Sequence, residues 1–525
     1  MSDAKSPNNT LASLEKAALT FQRGIEREGL RVDEAGNLAR TPHPAEFGSK
    51  LSHPMITTDF SESQLELITP VSDDLAQTFT TLDKVHQVIT RGMGSEILWA
   101  ASMPCVLQGD PTIPLADYGE SNLGKLKKTY RNGLGNRYGR SMQTICAVHY
   151  NFSFPDSFWS NLATIEKTSN DRTYRDRRFF DLIRNFRRFS WLPIFLFGAS
   201  PAVCNSFVKG RDHKLEPFDE GSLHLPYATS LRSGNLGYQS DAQASNLKVS
   251  YENLASYVQS LADGVTTGYE GYEKIGIKND EEYLQLNDCI LQSEAEFYST
   301  IRAKRVAPSG ENFLQCLLDE GVEYIEVRLM DLDPFEPLGI SQQTVRFLDT
   351  FLLYCLLADS PKNSDELDQE VKSNVTLAVH EGRKPDMELM DNGEARTLTD
   401  WASDILAQMT DFAAHLDSVH GIQEHADSLN IQRTKIKQPE HTPSARILAD
   451  MKEQTIPFFR FAMNQSLAHK QTHLESELSP DTEKQFADFA SQSLKNQADI
   501  DAASEPSFEQ YLADILAGYP PLNGS

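Results

Sequence analysis

Apolar and polar side chains alternate with a period of two in four short runs: "GIEREGLRV" (24–32), "QLELITP" (64–70), "CAVHYNFSF" (146–154) and "VEYIEVRLM" (322–330). Each run is rich in β-branched or aromatic residues, and the pattern predicts strands. Between them the apolar spacing lengthens to three and four residues, which predicts helices over 80–92 and 179–192. Residues 12–22 read as a short helix leading into the first strand. The stretch 232–245, rich in Gly, Asn and Ser, reads as a loop. Beyond about residue 341 the helical period dominates. "TLTDWASDILAQMTDFAAHL" aligns Trp401, Ile405, Met409, Phe412 and Leu416 on one helix face, with Thr399 as the expected N-cap. Thr442 before Pro443 marks another helix start. The run "FLLYCLLA" (351–358) is too short to cross a bilayer and reads as a buried helix. The fold class expected is α+β. A helical lead-in covers 1–22, a strand-bearing α+β domain 23–340, and a mainly helical region 341–525 packs on it.

Side chains two apart on a strand point the same way. Glu26 and Glu28 therefore share a face with Leu30 and Val32, and Arg27 and Arg31 take the other with Ile25 and Gly29. Glu326 and Arg328 repeat the device beside Tyr324. His149 and Asn151 form a polar face opposite Val148, Tyr150 and Phe152. Asp59 and Glu66 add two more acids on the stretch "TTDFSESQLELITP". An isolated E-x-E pair more commonly marks a solvated sheet face with cross-strand ion pairs, and a lone histidine more commonly fills a core or rim. Five carboxylates and one imidazole on strands are a different matter. Like charges aimed together must share protons, pair with cations or hold metal ions. Mostly oxygen donors suit Mg²⁺ or Mn²⁺ rather than zinc, and such ions commonly hold nucleotide phosphates.

Composition narrows the classes. The 525 residues are 39% hydrophobic, enough for a large core, and 75 acidic against 49 basic residues give a net charge of −26. A surface of that sign disfavours nucleic acid and anionic lipid as partners. The arginine-rich stretch 171–189 accordingly reads as an amphipathic helix with Phe179, Ile183 and Phe186 inward. Six scattered cysteines without a C-x-x-C pair speak against a disulfide framework and a zinc ribbon. The polar N-terminus carries no signal-peptide pattern, so the expected location is the cytoplasm. No P-loop, kinase set, G-x-S-x-G or H-E-x-x-H motif is present. An ATP user built this way would hold phosphates by metal and by basic residues, for which Arg302, Lys304 and Arg305 are candidates. The same three residues could equally be balancing an acidic surface.

Eight blocks carry a resemblance. "RGIEREGLRV", "ITTDFSESQLELITP", "MQTICAVHYNFSF", "LFGASPAVCNSF", "LPYATSLR", "GVEYIEVRLMDLDPF", "VRFLDTFLLYCLLAD" and "SARILADM" occur in order from about residue 13 to 455. Together they resemble glutamate–cysteine ligase of the proteobacterial type, in the glutamine synthetase-like superfamily. The resemblance implies a curved, largely antiparallel sheet forming a funnel surrounded by helices, with the catalytic part over 23–340. It implies ATP-dependent joining of the γ-carboxyl of glutamate to cysteine through γ-glutamyl phosphate, the first step of glutathione biosynthesis. It further implies one Mg²⁺ on Glu28, Asp59 and Glu66, and a second on Glu26, His149 and Glu326. Arg328 beside Glu326 would stabilise the transferring phosphoryl group. Phe60, Tyr130, Leu134, Gln143 and Tyr238 would surround the cysteine side chain, with Arg232 and Tyr298 on its carboxylate. Partners would be glutamate, cysteine and ATP, with a monomeric chain. Two other readings stay open: a related carboxylate–amine ligase or guanidino kinase-like enzyme with a different acceptor, and a catalytically silent metal or nucleotide binder.

Overall fold

The computed structural model describes residues 7–104, 106–237, 241–308 and 311–519. Its main sheet has seven strands: β1 (Gln22–Val32), β2 (Ile56–Thr58), β3 (Gln64–Ile68), β4 (Ile97–Leu98), β5 (Val148–Ser153), β6 (Ile301–Lys304) and β7 (Tyr324–Met330). The order is β6-β7-β5-β1-β3-β2, with β4 pairing on β1, and every pairing is antiparallel. The sheet is open rather than a closed barrel, and helices surround it. All four predicted strands are present.

The helices used below are α1 (Pro7–Ala12), α2 (Leu75–Gly92), α3 (Asn122–Tyr138), α4 (Arg172–Phe189), α5 (Phe313–Glu320), α6 (Gln342–Leu357), α7 (Leu398–Gln408), α8 (Thr410–His420), α9 (Pro443–Gln454), α10 (Phe458–Glu475), α11 (Pro480–Ala502) and α12 (Phe508–Ala517). One hydrophobic cluster runs from Leu11 to Tyr519. Ile25, Val148, Tyr150, Phe152, Ile325 and Val327 are all fully buried. They form the reverse face of the sheet, as the alternation requires. α6, which contains "FLLYCLLA", is buried along almost its whole length. Its Asp349 reaches the sheet and binds Arg23 Nη2 at 2.8 Å, while the Tyr150 hydroxyl donates to the same carboxylate at 2.6 Å. α4 turns Phe179, Ile183 and Phe186 inward as expected, and four of its arginines pair with Asp181, Asp368 and Asp391.

Three expectations about helices need correction. The lead-in helix lies earlier, at α1, and a single 3₁₀ turn at Lys16–Ala18 precedes β1, because Leu19 and Phe21 are drawn individually into the core. Thr397, not Thr399, caps α7; its hydroxyl accepts from Asp400 N at 3.2 Å, and the helix starts at Leu398. The stretch read as one long helix is two, α7 and α8, meeting at Met409. Its five apolar residues are all buried, so the stripe is real but bends to follow the core. Thr442 and Pro443 do open α9. The last two helices strap the molecule. Asp501 and Glu505 accept from the backbone amides of Ser121 and Asn122 at the start of α3, and Tyr519 donates to Glu294. No helix among the described residues is long and apolar enough to cross a membrane.

Candidate active site

β1 is the central strand, so its front-face carboxylates acquire partners on both sides. Glu26 lies opposite His149 on β5, and Glu28 opposite Glu66 on β3. Beyond β5, Glu326 pairs with Asn151, and Arg302 on β6 pairs with Glu326. The β5–β7 ladder shifts register between Val327 and Met330, a bulge that contains Arg328. From there Arg328 Nη1 donates to Glu326 Oε1 at 2.7 Å.

His149 is the hub. Its Nδ1 lies 3.2 Å from Glu26 Oε2 and 3.7 Å from Glu326 Oε1, and its Nε2 lies 3.6 Å from Glu28 Oε1. Glu26, Glu66 and His149 also offer ligand atoms within 4.8 Å of one another. That trio takes members from both expected metal sets, so the two sets adjoin across β1. Two further bonds fix the acids: Ala147 N donates to Glu28 Oε2 at 2.8 Å, and Asn151 Nδ2 to Glu26 Oε1 at 2.7 Å.

Burial pushes the Glu28 carboxyl well above its usual range, and Asp59 and Glu66 push it further. Burial, then Glu26 and Asp59, raise Glu66 to about 8. The other two acids go the opposite way. Burial opposes ionisation of Glu26, but the hydrogen bond and charge of His149, with the Asn151 amide, together lower its pKa. Glu326 falls well below its usual range because Arg328 and Lys304 outweigh its burial. His149 itself is held low by burial and by Arg328, which favours the neutral imidazole that a metal needs. Glu326 Oε2 is buried with no hydrogen-bond partner, and Lys304 Nζ lies 3.8 Å from it. A hard oxygen set with one imidazole, two acids that resist ionising side by side, and one orphaned carboxylate oxygen together fit divalent cations of the Mg²⁺ or Mn²⁺ kind.

The acceptor candidates cluster beside this face. Tyr130 and Leu134 stand on α3, and Gln143 Nε2 donates to the Tyr298 hydroxyl at 3.1 Å. Burial disfavours ionisation of both Tyr130 and Tyr298; Glu296 and Tyr298 add to it at Tyr130, and Glu296, Tyr272 and Asp59 at Tyr298. Phe60 and Leu134 are both buried in the main cluster. Arg232 is buried, bound to Asp331 at 2.6 Å, and donates to the Arg328 carbonyl at 3.3 Å. Tyr238 lies outside the described residues. Of the three phosphate candidates, Arg302 and Lys304 share the front face of β6. Arg302 is partly committed, donating to the carbonyls of Ala295 and Phe297. Arg305 is spent elsewhere: it binds the carbonyls of Glu320 and Gly321 at the end of α5.

Sequence reasoning missed Lys127 and Arg131. They lie one turn apart on α3 and stack over the Tyr118 ring at 5.3 and 4.6 Å. Arg131 donates to the Asp59 carbonyl, and both cations favour ionisation of Glu66. Burial and Arg131 bring Lys127 down to about 8. The four-residue spacing inside "KLKKTYRNGLG", flanking Tyr130, is the signal that could have found them.

Comparisons with known proteins agree with one another. The family model described as glutamate–cysteine ligase matches residues 9–378. Proteins named glutamate–cysteine ligase from Alcanivorax borkumensis and Saccharophagus degradans are each 47% identical over 503 residues. The first alignment covers 94% of this chain and 95% of the relative, the second 95% of each. The crystal structure of glutamate–cysteine ligase from Francisella tularensis in complex with AMP superposes with a TM-score of 0.89 at 36% identity, covering 95% of this chain and 98% of that one. A bifunctional glutathione synthetase from Pasteurella multocida matches with a TM-score of 0.69 and 26% identity over 89% of this chain and 54% of its own.

Proposed function

This chain belongs to the glutamate–cysteine ligase family and is an ATP-dependent ligase of glutathione synthesis, and we propose that the front face of its sheet is where glutamate, ATP and cysteine meet. The observation that carries the assignment is the convergence of Glu26, Glu28, Glu66 and Glu326 on His149, with Arg328 above Glu326. A face that negative repels a triphosphate unless cations intervene. Glu28, Asp59 and Glu66 would hold one Mg²⁺, or Mn²⁺, and Glu26, His149 and Glu326 another. When bound, the ions neutralise and align the ATP phosphates. Because Glu26, Glu66 and His149 converge, Glu66 and Glu26 also stand where adjacent ions would share them.

The chain's own residues do the rest. The glutamate γ-carboxylate attacks the γ-phosphorus, the bond to the β,γ-bridging oxygen breaks, and ADP leaves as γ-glutamyl phosphate forms. Phosphoryl transfer depends on positioning and charge neutralisation. Arg328, oriented by Glu326, supplies a fixed positive charge, with Arg302 and Lys304 along the next strand. The neutral amine of cysteine then attacks the acyl carbon, phosphate leaves with its bonding pair, and the amine proton is lost to give the amide. Tyr130, Leu134 and Gln143, with Phe60 nearby, would wall the thiol side, and Arg232 and Tyr298 would take the acceptor carboxylate. The described cysteines are carried as thiols, in keeping with an enzyme of the reducing cytoplasm, acting as a monomer on small molecules.

Release of ADP, measured with glutamate, Mg²⁺ and a panel of amino acids, tests this reading. Cysteine should be required, and 2-aminobutyrate should serve more slowly, because an SH-for-CH₃ exchange discriminates by only ~1–3 kcal/mol. Turnover with another amine but none with cysteine would replace the acceptor assignment.

A further inference from the structure

Behind β1 lies a second cluster that the ligase reaction does not use. Arg27 points to the reverse face, is 2% exposed, and makes one hydrogen bond, from Nη2 to the Trp99 carbonyl at 3.2 Å. Its Nε and Nη1 are buried with no hydrogen-bond partner. The guanidinium folds back over Gly29, where an added Cβ would fall 1.9 Å from Nη1, so only glycine leaves room for it. Arg27 lines a cavity of about 10 Å³ between β1, α2 and α10, together with His86, His469, Lys470 and His473. No carboxylate is among the lining residues.

The other basic groups there each make polar contacts, with His86 Nε2 and His473 Nδ1 left without a hydrogen bond. Lys470 Nζ donates to the carbonyls of Gly94, Ser95 and Glu96. His86 Nδ1 meets the Leu82 carbonyl at 2.8 Å, and His469 Nε2 the Pro334 carbonyl at 2.8 Å. His473 lies between the Pro337 carbonyl and Asp83, at 3.3 Å from each. Arg27 keeps two donor atoms, Nε and Nη1, unmet at the cavity. A buried guanidinium without a counter-charge is strongly unfavourable. The cavity has room for about one water-sized sphere, to which a halide is the nearest common anion in size, and none for sulfate or phosphate.

We propose that this cavity binds one monatomic anion, chloride in ordinary salt, on the Nε and Nη1 edge of Arg27, directly behind the strand that carries Glu26 and Glu28. The competing occupant is a water molecule, which would satisfy the donors without balancing the charge. Crystals of the full chain grown in sodium bromide decide between them: an anomalous peak in hydrogen-bonding contact with Arg27 Nη1 is expected. In solution, chloride should raise Tm saturably by about 2 °C over sodium gluconate at equal ionic strength. Arg27→Met should abolish that difference. No bromide peak at Arg27, with superimposed chloride and gluconate curves, would overturn the proposal and leave the cavity to water. If Arg27→Met does not fold, the bromide map of the unmodified protein decides alone.

Discussion

On the front of β1, Glu26 and Glu28 meet Glu66, Glu326 and Asp59, with basic residues only at the margin. On the reverse, Arg23 and Arg31 are buried just as deeply, but each is paired with a carboxylate. Arg23 binds Asp349 and is held above its usual range against the cost of burial. Arg31 binds Glu96 at 2.6 Å and the carbonyls of Thr41 and Glu62. One strand thus presents unbalanced acid on one side and, at Arg23 and Arg31, balanced base on the other, with Arg27 between them the exception. Around Arg23 and Arg31 the reverse face is a solved packing problem, and removing a partner there costs stability. The front face is unsolved within the chain, and its answer comes from ligands.

Breaking the front face should affect chemistry most. Glu28→Gln should lower turnover by about 10³-fold or more, on the scale of losing a transition-state charge partner. Tm of the metal-free variant should stay level or rise, because a repelled carboxylate is removed. A parallel loss of Tm would mean Glu28 belongs to the packing instead. Breaking the reverse face should do the converse. Asp349→Ala leaves Arg23 buried and unpaired, and denaturant unfolding should show a loss of about 3–5 kcal/mol. The KM values of the surviving folded enzyme should not change.

The comparison sharpens with pH. Burial lifts Glu66 to about 8 and Glu28 well above the ordinary carboxyl range. A raised carboxyl stabilises the metal-free fold fully below its unfolded value of about 4.3, and that stability is lost as pH rises toward the folded value. Metal-free Tm should therefore decline between about pH 5 and 8. Mn²⁺ reverses the preference, so its affinity should rise up to about tenfold per pH unit below about 8, with protons released. A pH-independent affinity would contradict the electrostatics. The smallest effect concerns the acceptor. Tyr298→Phe removes the acceptor of the Gln143 hydrogen bond, worth about 1 kcal/mol. KM for cysteine should rise about fivefold while KM for glutamate holds.

Much of this was legible before any coordinates. A period of two assigned every front-face and reverse-face residue of β1, β5 and β7 correctly, since strand geometry leaves no choice once a strand is given. It could not say which acid would face which, because register depends on strand order across hundreds of residues. Hence Glu66 joining Glu26 and His149 came only with the sheet. Asp349 lies just before the apolar run 351–358, and its burial is explained by Arg23, 326 positions away, and by Tyr150. Arg305 looked like a phosphate ligand because it adjoins Arg302 and Lys304, but β6 ends at Lys304 and the next side chain leaves the face. The role of the last helices was also hidden, because Asp501 and Glu505 act on α3 through backbone amides, which no side-chain pattern records.

Calorimetric titration of metal-free enzyme with Mn²⁺, beside a non-hydrolysable ATP analogue at neutral pH, tests the central claim most directly. The account predicts saturable binding of more than one ion with proton release in the unmodified protein, and loss of at least one ion in Glu28→Gln. Equal stoichiometry, equal affinity and equal turnover in the two proteins would contradict it.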